Sequence, residues 1–306
     1  MARRRAKTSQ EILNQLQAGD DGLVTRPIGV WTLEKLAILL LYFEGFTRAC
    51  GRARGGYYLD GLAGPGICRI RGARAQPNYV WGSPLIALRT QPPFQRCISL
   101  DISEGNTRAL SSRVSSYGTR AVVHAGDVNQ RLANVVRSEV PGRAPCFCLL
   151  DPEGTELQWS TIEAVARTPG RRRKPELLVL FPMEMGFIRL LTTAAEIRSG
   201  WKARIDRMFP DGTWWNVYQR RVAGRLTPSE AKDLYIEIYR NGLEASGYRH
   251  VNSHPITAPT VTGGQRRELY HLVFASDSDA GKDIMDYVFQ RPYYLDFPVD
   301  LQPPLL

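Results

Sequence analysis

Four short runs in this chain, each mostly apolar, end on an acid: Tyr57-Tyr-Leu-Asp60, Arg96-Cys-Ile-Ser-Leu-Asp101, Arg120-Ala-Val-Val-His-Ala-Gly-Asp127 and Pro145-Cys-Phe-Cys-Leu-Leu-Asp151. Continuous apolar runs are the mark of strands buried on both faces of a parallel sheet. Ligands of open α/β sheets bind outside the carboxyl ends of such strands, where these carboxylates would gather. The first run passes directly into Gly61-Leu-Ala-Gly64-Pro-Gly66, a turn whose glycines lack a Cβ and let the backbone bend sharply and come close to a ligand. Its spacing departs from the dinucleotide pattern Gly-x-Gly-x-x-Gly, and an acid at the strand-turn junction repels a pyrophosphate. The ligand implied is a nucleoside with little negative charge.

S-adenosylmethionine meets that demand, because it carries a sulfonium, an ammonium and a carboxylate but no phosphate. In this reading Asp60 and the turn at Gly61, Gly64 and Gly66 hold the methionine part, Asp101 takes the ribose hydroxyls and Asp127 lies by the adenine amino group. Asp151, Pro152 and Glu153 follow the fourth run, the place at which an enzyme of this architecture acts on its target. A plainer reading competes at every position, since an aspartate after a strand is often only the cap of the next helix, and a glycine turn can be tight without a ligand.

The elements that must position these groups can be read from periodicity and turn residues. A short helix is expected at Ser9 to Leu16 and a longer one from Trp31 through Phe46, with Thr32 as its cap. Ser83-Pro84 reads as a cap and first turn, which leaves a loop of roughly sixteen residues behind the first strand. Crossover helices follow at Ser103 to Val114, Val128 to Arg137 and Ser160 to Arg167, and Glu176 to Pro182 is a fifth strand. A helical region is expected over Met183 to Arg198, and residues 200–226, rich in Trp and Arg, read as an insertion of open role. Beyond a helix at Pro228 to Gly247, strands at Tyr248 to Ala258 and Glu268 to Ser276 flank a Gly263-Gly264 turn and precede a helix at Ala280 to Gln290. The expected fold is α/β: a Rossmann-like class I methyltransferase sheet, mostly parallel, of seven strands with one reversed near the edge and helices on both faces. The expected division is an N-terminal extension (1–30), the cofactor half of the core (31–199), a helical insertion (200–247) and strands and a helix completing the sheet (248–306).

At 306 residues and 43% hydrophobic, the chain can build a large core, yet no apolar run approaches the eighteen or so residues of a membrane span. The basic first residues lack the apolar segment of a secretory signal. Five cysteines and four histidines show no zinc-ligand spacing, Cys146 and Cys148 alternate like small buried hydrophobes, and His124 sits inside a strand. A reduced, cytoplasmic setting and no metal site are the expectation. Forty Lys and Arg against thirty Asp and Glu leave a formal +10, which favours a polyanion such as RNA or DNA as partner. Arginines cluster at Arg3 to Arg5, at Arg69, Arg71 and Arg74, and at Arg171 to Lys174. The segment from Cys68 to Trp81 mixes arginines with Tyr79 and Trp81, suited to phosphate contact and base stacking, or else a packed cover for the cofactor.

The Trp31 to Lys35 helix start, Asp60-Gly-Leu-Ala-Gly-Pro-Gly66, Gly82-Ser-Pro84, Gly126-Asp127, Asp151-Pro-Glu-Gly154 with Trp159, and Tyr270-His-Leu-Val-Phe-Ala275 together resemble the three-Cys-motif partner proteins, over about Trp31 to Gln290. The resemblance implies a class I methyltransferase fold, and association with a separate protein that bears the three-cysteine, radical-SAM-like motif. Enzymes that methylate adenine N6 carry Asp-Pro-Pro-Tyr or Asn-Pro-Pro-Tyr where this chain has Asp151-Pro-Glu-Gly154, so the second proline and the stacking aromatic are absent. Trp159 and Phe181 are then the candidates for a stacking face. Two further readings stand beside methyl transfer: a catalytically degenerate fold that binds nucleic acid or the three-cysteine partner, and a nuclease with Asp127, Asp151 and Glu153 around magnesium.

Overall fold

Apolar runs too short for a helix and bounded by Gly, Pro or Asp become the inner strands of the main sheet. The computed structural model describes residues 6–51, 55–73, 78–191, 197–259 and 266–291. The arginines at 3–5 and at 74, and the expected Gly263-Gly264 turn, lie outside them. The chain folds as two compact units, the first of residues 1–125 and 284–306, the second of residues 126–283.

The first unit runs α1 (Ser9–Leu16), β1 (Gln17–Ala18), β2 (Arg26–Ile28), α2 (Thr32–Ala49), β3 (Tyr57–Asp60), β4 (Ile67–Ile70), β5 (Tyr79–Trp81), α3 (Ser83–Arg89), β6 (Arg96–Asp101), α4 (Glu104–Val114) and β7 (Ala121–Ala125). It contributes three parallel strands in the order β3-β6-β7, with Tyr58 beside Cys97 and Leu100 beside His124. Every residue of β3 is buried, as a strand covered on both faces requires. Behind it, Phe43 of α2 meets Tyr58 and Phe94 edge-on, with centroids 4.9 and 5.4 Å apart.

The second unit runs α5 (Val128–Glu139), β8 (Cys146–Leu150), α6 (Trp159–Ala166), β9 (Glu176–Phe181), α7 (Ser199–Met208), α8 (Thr213–Val222), α9 (Pro228–Ala245), β10 (His250–Pro259) and β11 (Arg266–Ser276); α10 (Asp279–Phe289) crosses the division. Its four strands lie in the order β10-β11-β9-β8. β8 and β9 are parallel, while β11 runs antiparallel to both β9 and β10, so the one reversed strand lies next to the edge. Seven strands, mostly parallel, with a single reversal at the penultimate position and helices around them make this an α/β fold of the expected kind.

Three expectations need correction, and the helical region after β9 takes a particular form. The segment after Gly66 is no long loop: β4 and β5 pair with each other and with β2 and β1 in a second, four-stranded sheet of order β1-β5-β4-β2. Thr32 caps nothing, since α2 has Trp31 at its N-cap without a side-chain bond. Ser83 lies inside α3, whose cap is Gly82. Met183–Phe187 forms a single π turn, with Gly186 and Phe187 amides both donating to the Pro182 carbonyl, followed by a 3-10 turn at Ile188–Leu190.

Residues 200–226 acquire a role as core. Phe209 and Trp214 stack with centroids 6.1 Å apart, and Phe209 lies 5.6 Å from Phe181 of β9 and 6.4 Å from Tyr239 of α9. These aromatics seal α7 and α8 onto the sheet. Beside them Glu184, 8% exposed, pairs with Lys232 and accepts a 2.6 Å bond from Arg267. Burial resists its charge, but the two cations outweigh burial and hold its carboxyl below the usual range. A folded-state pKa that is depressed gives stability present above the unfolded value of about 4.3 and lost as pH falls through the folded one. Glu184→Gln is therefore expected to cost roughly 1 to 3 kcal/mol at pH 7. In thermal unfolding against pH, the gap from the parent should shrink below about pH 4; a gap independent of pH would refute the assignment.

Candidate functional site

The carboxyl end of β3 is held by its own acid. Asp60, 1% exposed, accepts 2.6 Å hydrogen bonds from the Tyr58 hydroxyl and from Ser83 Oγ, so the end of the strand is tied to the start of α3. Burial, and then the Asp60 charge, push the Tyr58 phenol far up, and it stays a donor. Both hydroxyls meet one oxygen of Asp60, and the other accepts from the Leu62 amide of the turn at 3.4 Å. Gly64 and Gly66 adopt φ of +64° and +91°, which side-chain-bearing residues rarely take. At Gly66 a Cβ would also come within 2.8 Å of Leu110 Cδ1.

Asp101 meets the same turn. Its Oδ2 accepts from the Gly64 amide at 2.8 Å, while Oδ1 accepts from the Ser103 amide at 2.8 Å and Asn106 Nδ2 at 3.1 Å. The Ala63 amide adds a 3.0 Å bond to the Leu100 carbonyl, and Gly82 N donates to the Gly66 carbonyl at 2.7 Å. The structure therefore brings Asp60, the glycine turn and Asp101 together. It adds Arg26, whose Nη1 lies 3.9 Å from where a Gly64 Cβ would stand. Three protein donors occupy Asp101, against the roughly four acceptor sites of a carboxylate.

In the second unit Asp127 is the N-cap of α5, accepting from the Asn129 amide at 2.9 Å. Asn129 is the hub here. Its Nδ2 donates to Asp127 at 3.1 Å and to the Glu156 carbonyl at 2.9 Å, and its Oδ1 accepts from the Gln158 amide at 3.0 Å and Thr161 Oγ1 at 2.8 Å. The carboxylate of Glu156 accepts from the amides of Glu153 and Gly154, closing Asp151-Pro-Glu-Gly154 into a braced loop. Asp151 and Pro152 are buried and Glu153 is exposed. Gly186 of the π turn abuts this loop, since a Cβ there would stand 2.9 Å from Gly154 Cα. So Asp127 and the Asp151 loop belong to one hydrogen-bonded network.

Neither expected stacking residue is exposed on the surface. Phe181 is fully buried among Phe187, Phe209 and Tyr239, and Trp159, 7% exposed, packs edge-on against Tyr239 and over Gly242. Among the described residues no three His, Cys, Asp or Glu gather as metal ligands, so Asp127, Asp151 and Glu153 form no magnesium cluster. The five cysteines are free thiols, and burial pushes Cys97 well above the usual range. Arg171 spends its guanidinium on the carbonyls of Val140, Ala144 and Arg173, which makes part of that basic cluster structural. No helix among the described residues is long and apolar enough to cross a membrane.

The class these features define is a mixed α/β fold with a mostly parallel seven-stranded sheet and helices around it. No protein-family model matches the sequence and no curated protein does. Solved structures overlap it in part. The CurJ carbon methyltransferase is 14% identical over 81% of this chain and 56% of its own, with a TM-score of 0.44. A protein from Legionella pneumophila is 12% identical over 82% and 92%, at 0.40. A SAM-dependent O-methyltransferase from Thermotoga maritima is 8% identical over 79% and 63%, at 0.37.

Proposed function

We propose that this chain is a methyltransferase that uses S-adenosylmethionine, with a nucleic-acid base of the adenine type as acceptor. One observation carries the reading: Asp101, at the end of the second parallel strand, grips the amide of Gly64 in the turn that ends the first. The donor set suits the ligand, for the glycine turn lets a zwitterionic amino-acid end come close to the backbone, and Asp101 keeps an acceptor site for a ribose hydroxyl. When bound, the cofactor supplies an electrophilic methyl group on a sulfonium. Asp60 fixes the shape of the turn, Asp127 takes the adenine role by its place after the third strand, and Asp151 accepts the hydrogen bond, then the proton, of the acceptor amine. Pro152 fixes the backbone after Asp151, and Glu153, exposed next to it, contacts the acceptor.

The test is calorimetric titration of the full chain with S-adenosylmethionine, for which one site is expected. Absence of any heat at saturating concentrations would remove the reading. The burial of Phe181 and Trp159 favours a second one, a degenerate fold that binds nucleic acid or a separate three-cysteine-motif protein without transferring a methyl group. Incubation with labelled cofactor and separate pools of RNA, DNA and protein separates the two.

A further inference from the structure

The small sheet of the first unit has one covered face and one that is open around Arg69 and covered at Ile67 and Ala18. In the β4-β5 pair Ile67 lies opposite Trp81, Cys68 opposite Val80 and Arg69 opposite Tyr79, and directly opposed residues share a face. Cys68 and Val80 are buried; Tyr79 and Trp81 are half-buried, and Arg69 is exposed beside them. Arg71, two residues beyond Arg69, is exposed as well. Arg89 lays its guanidinium 4.7 Å above the Trp81 ring, so its outer side is a flat cationic surface. Next to this pair opens a cavity of about 370 Å3, lined by Trp81, Arg89, Tyr117, Ser116, Asp20 and Asp21. Its size lies in the roughly 300 to 1,000 Å3 range of small-ligand sites.

Of the two acids that line the cavity, one is paired with a cation. Asp21 is clamped by Arg113, through Nε at 2.7 Å and Nη2 at 2.6 Å, and its charge is matched. Asp20 accepts from the Tyr79 hydroxyl at 2.8 Å and from the Gly22 amide at 3.0 Å, which leaves acceptor capacity on its carboxylate. An aromatic pair about 7 Å apart along one strand, Arg69 on the same face, Arg89 over Trp81 and a carboxylate that can accept a hydroxyl form a distinctive set. Bases stack on rings and guanidinium planes, phosphates pair with arginines, and a 2′-hydroxyl is the group that a carboxylate can take from RNA but not from DNA.

We propose that this partly open face, with Tyr79, Trp81, Arg69, Arg71 and Arg89, binds single-stranded RNA, one nucleoside entering the cavity beside Asp20. The inference rests on the proposed methyl transfer only where it makes that RNA the acceptor. Binding of a fluorescent twelve-nucleotide RNA, followed by anisotropy over a salt series without cofactor, tests it. The parent is expected to bind with a log-log salt slope of about −2, three arginines at about −0.7 per phosphate. Arg69→Glu and Arg89→Ala, both at exposed side chains, should each weaken binding several-fold, and Arg89→Ala should flatten the slope by about 0.7. Trp81→Ala should lose about ten-fold to a hundred-fold, with Trp81→Phe recovering part of it.

DNA of the same sequence, or RNA duplex, bound as tightly as the single strand would overturn the assignment, as would an unchanged affinity in both arginine variants. Titration of Arg69→Glu and Arg89→Ala with S-adenosylmethionine keeps the two proposals apart. RNA binding that fails while the cofactor still binds refutes this inference alone. Cofactor binding that fails while RNA binding follows the arginines refutes the methyltransferase reading alone.

Discussion

Asp101→Ala is expected to reduce S-adenosylmethionine affinity by at least a hundred-fold and to lower the stability of the chain by about 2 to 5 kcal/mol, three hydrogen bonds to a charged acceptor being worth about 1.5 to 3 kcal/mol each and not fully additive. The carboxylate, 9% exposed, satisfies the Gly64 amide on one oxygen and the Ser103 amide and Asn106 Nδ2 on the other. Alanine leaves all three donors without it, and the Gly64 amide then has no anchor to keep the turn at φ +64°. Asp101→Asn is the sharper variant, because an amide has one carbonyl oxygen and one NH2 and can satisfy only one side of the site. It should hold the fold better than alanine yet bind cofactor at least ten-fold more weakly than the parent. Calorimetry and thermal melts on the same samples read both effects. Full cofactor affinity in Asp101→Asn would show that Asp101 serves the turn and not the ligand.

How much of this was legible beforehand depends on the length scale of the signal. Asp60, Asp101, Asp127 and Asp151 could be located because buried parallel strands are unbroken apolar runs, and the acid that stops each run is visible in one dimension. The single reversed strand was legible for a similar reason, as two late strands with turn residues between them make a hairpin. The small sheet was not, since β1 has two residues, β2 three, and β4 interrupts its apolar pattern with Arg69. Tryptophans at 201, 214 and 215 gave no hint of direction, and only packing shows Trp214 fully buried against Phe209.

Side-chain hubs were equally hidden. Asn129 gains its role from Glu156, Gln158 and Thr161, 27 to 32 positions away, and Ser83 from Asp60, 23 positions away. No local pattern marks such residues. A helix-opening serine and a proline looked like a cap because caps are the commonest use of that pair. Here the strand end had a buried carboxylate to satisfy, and the hydroxyl went there instead.

Asp151→Ala is expected to lower the rate of methyl transfer by about 100-fold to 10,000-fold, the usual contribution of a positioned acid or base, while cofactor affinity stays within about three-fold of the parent. The split follows from where the residue lies. Asp151 is buried at the end of β8, at the head of a loop whose Glu153 and Gly154 amides are capped by Glu156 and whose far end is tied to Asn129. The bonds from Glu156 and Asn129 hold the loop backbone and remain in Asp151→Ala, which takes away the acceptor for the amine. Glu153→Gln, at an exposed side chain outside that cap, should change the rate by less than ten-fold. Single-turnover transfer to the labelled pool that the parent modifies gives the rate, and calorimetry the affinity. Equal losses in both variants would place the chemistry elsewhere. A parent that binds cofactor but labels no pool would leave Asp151 a relic, and the braced loop a recognition element of the degenerate, binding form.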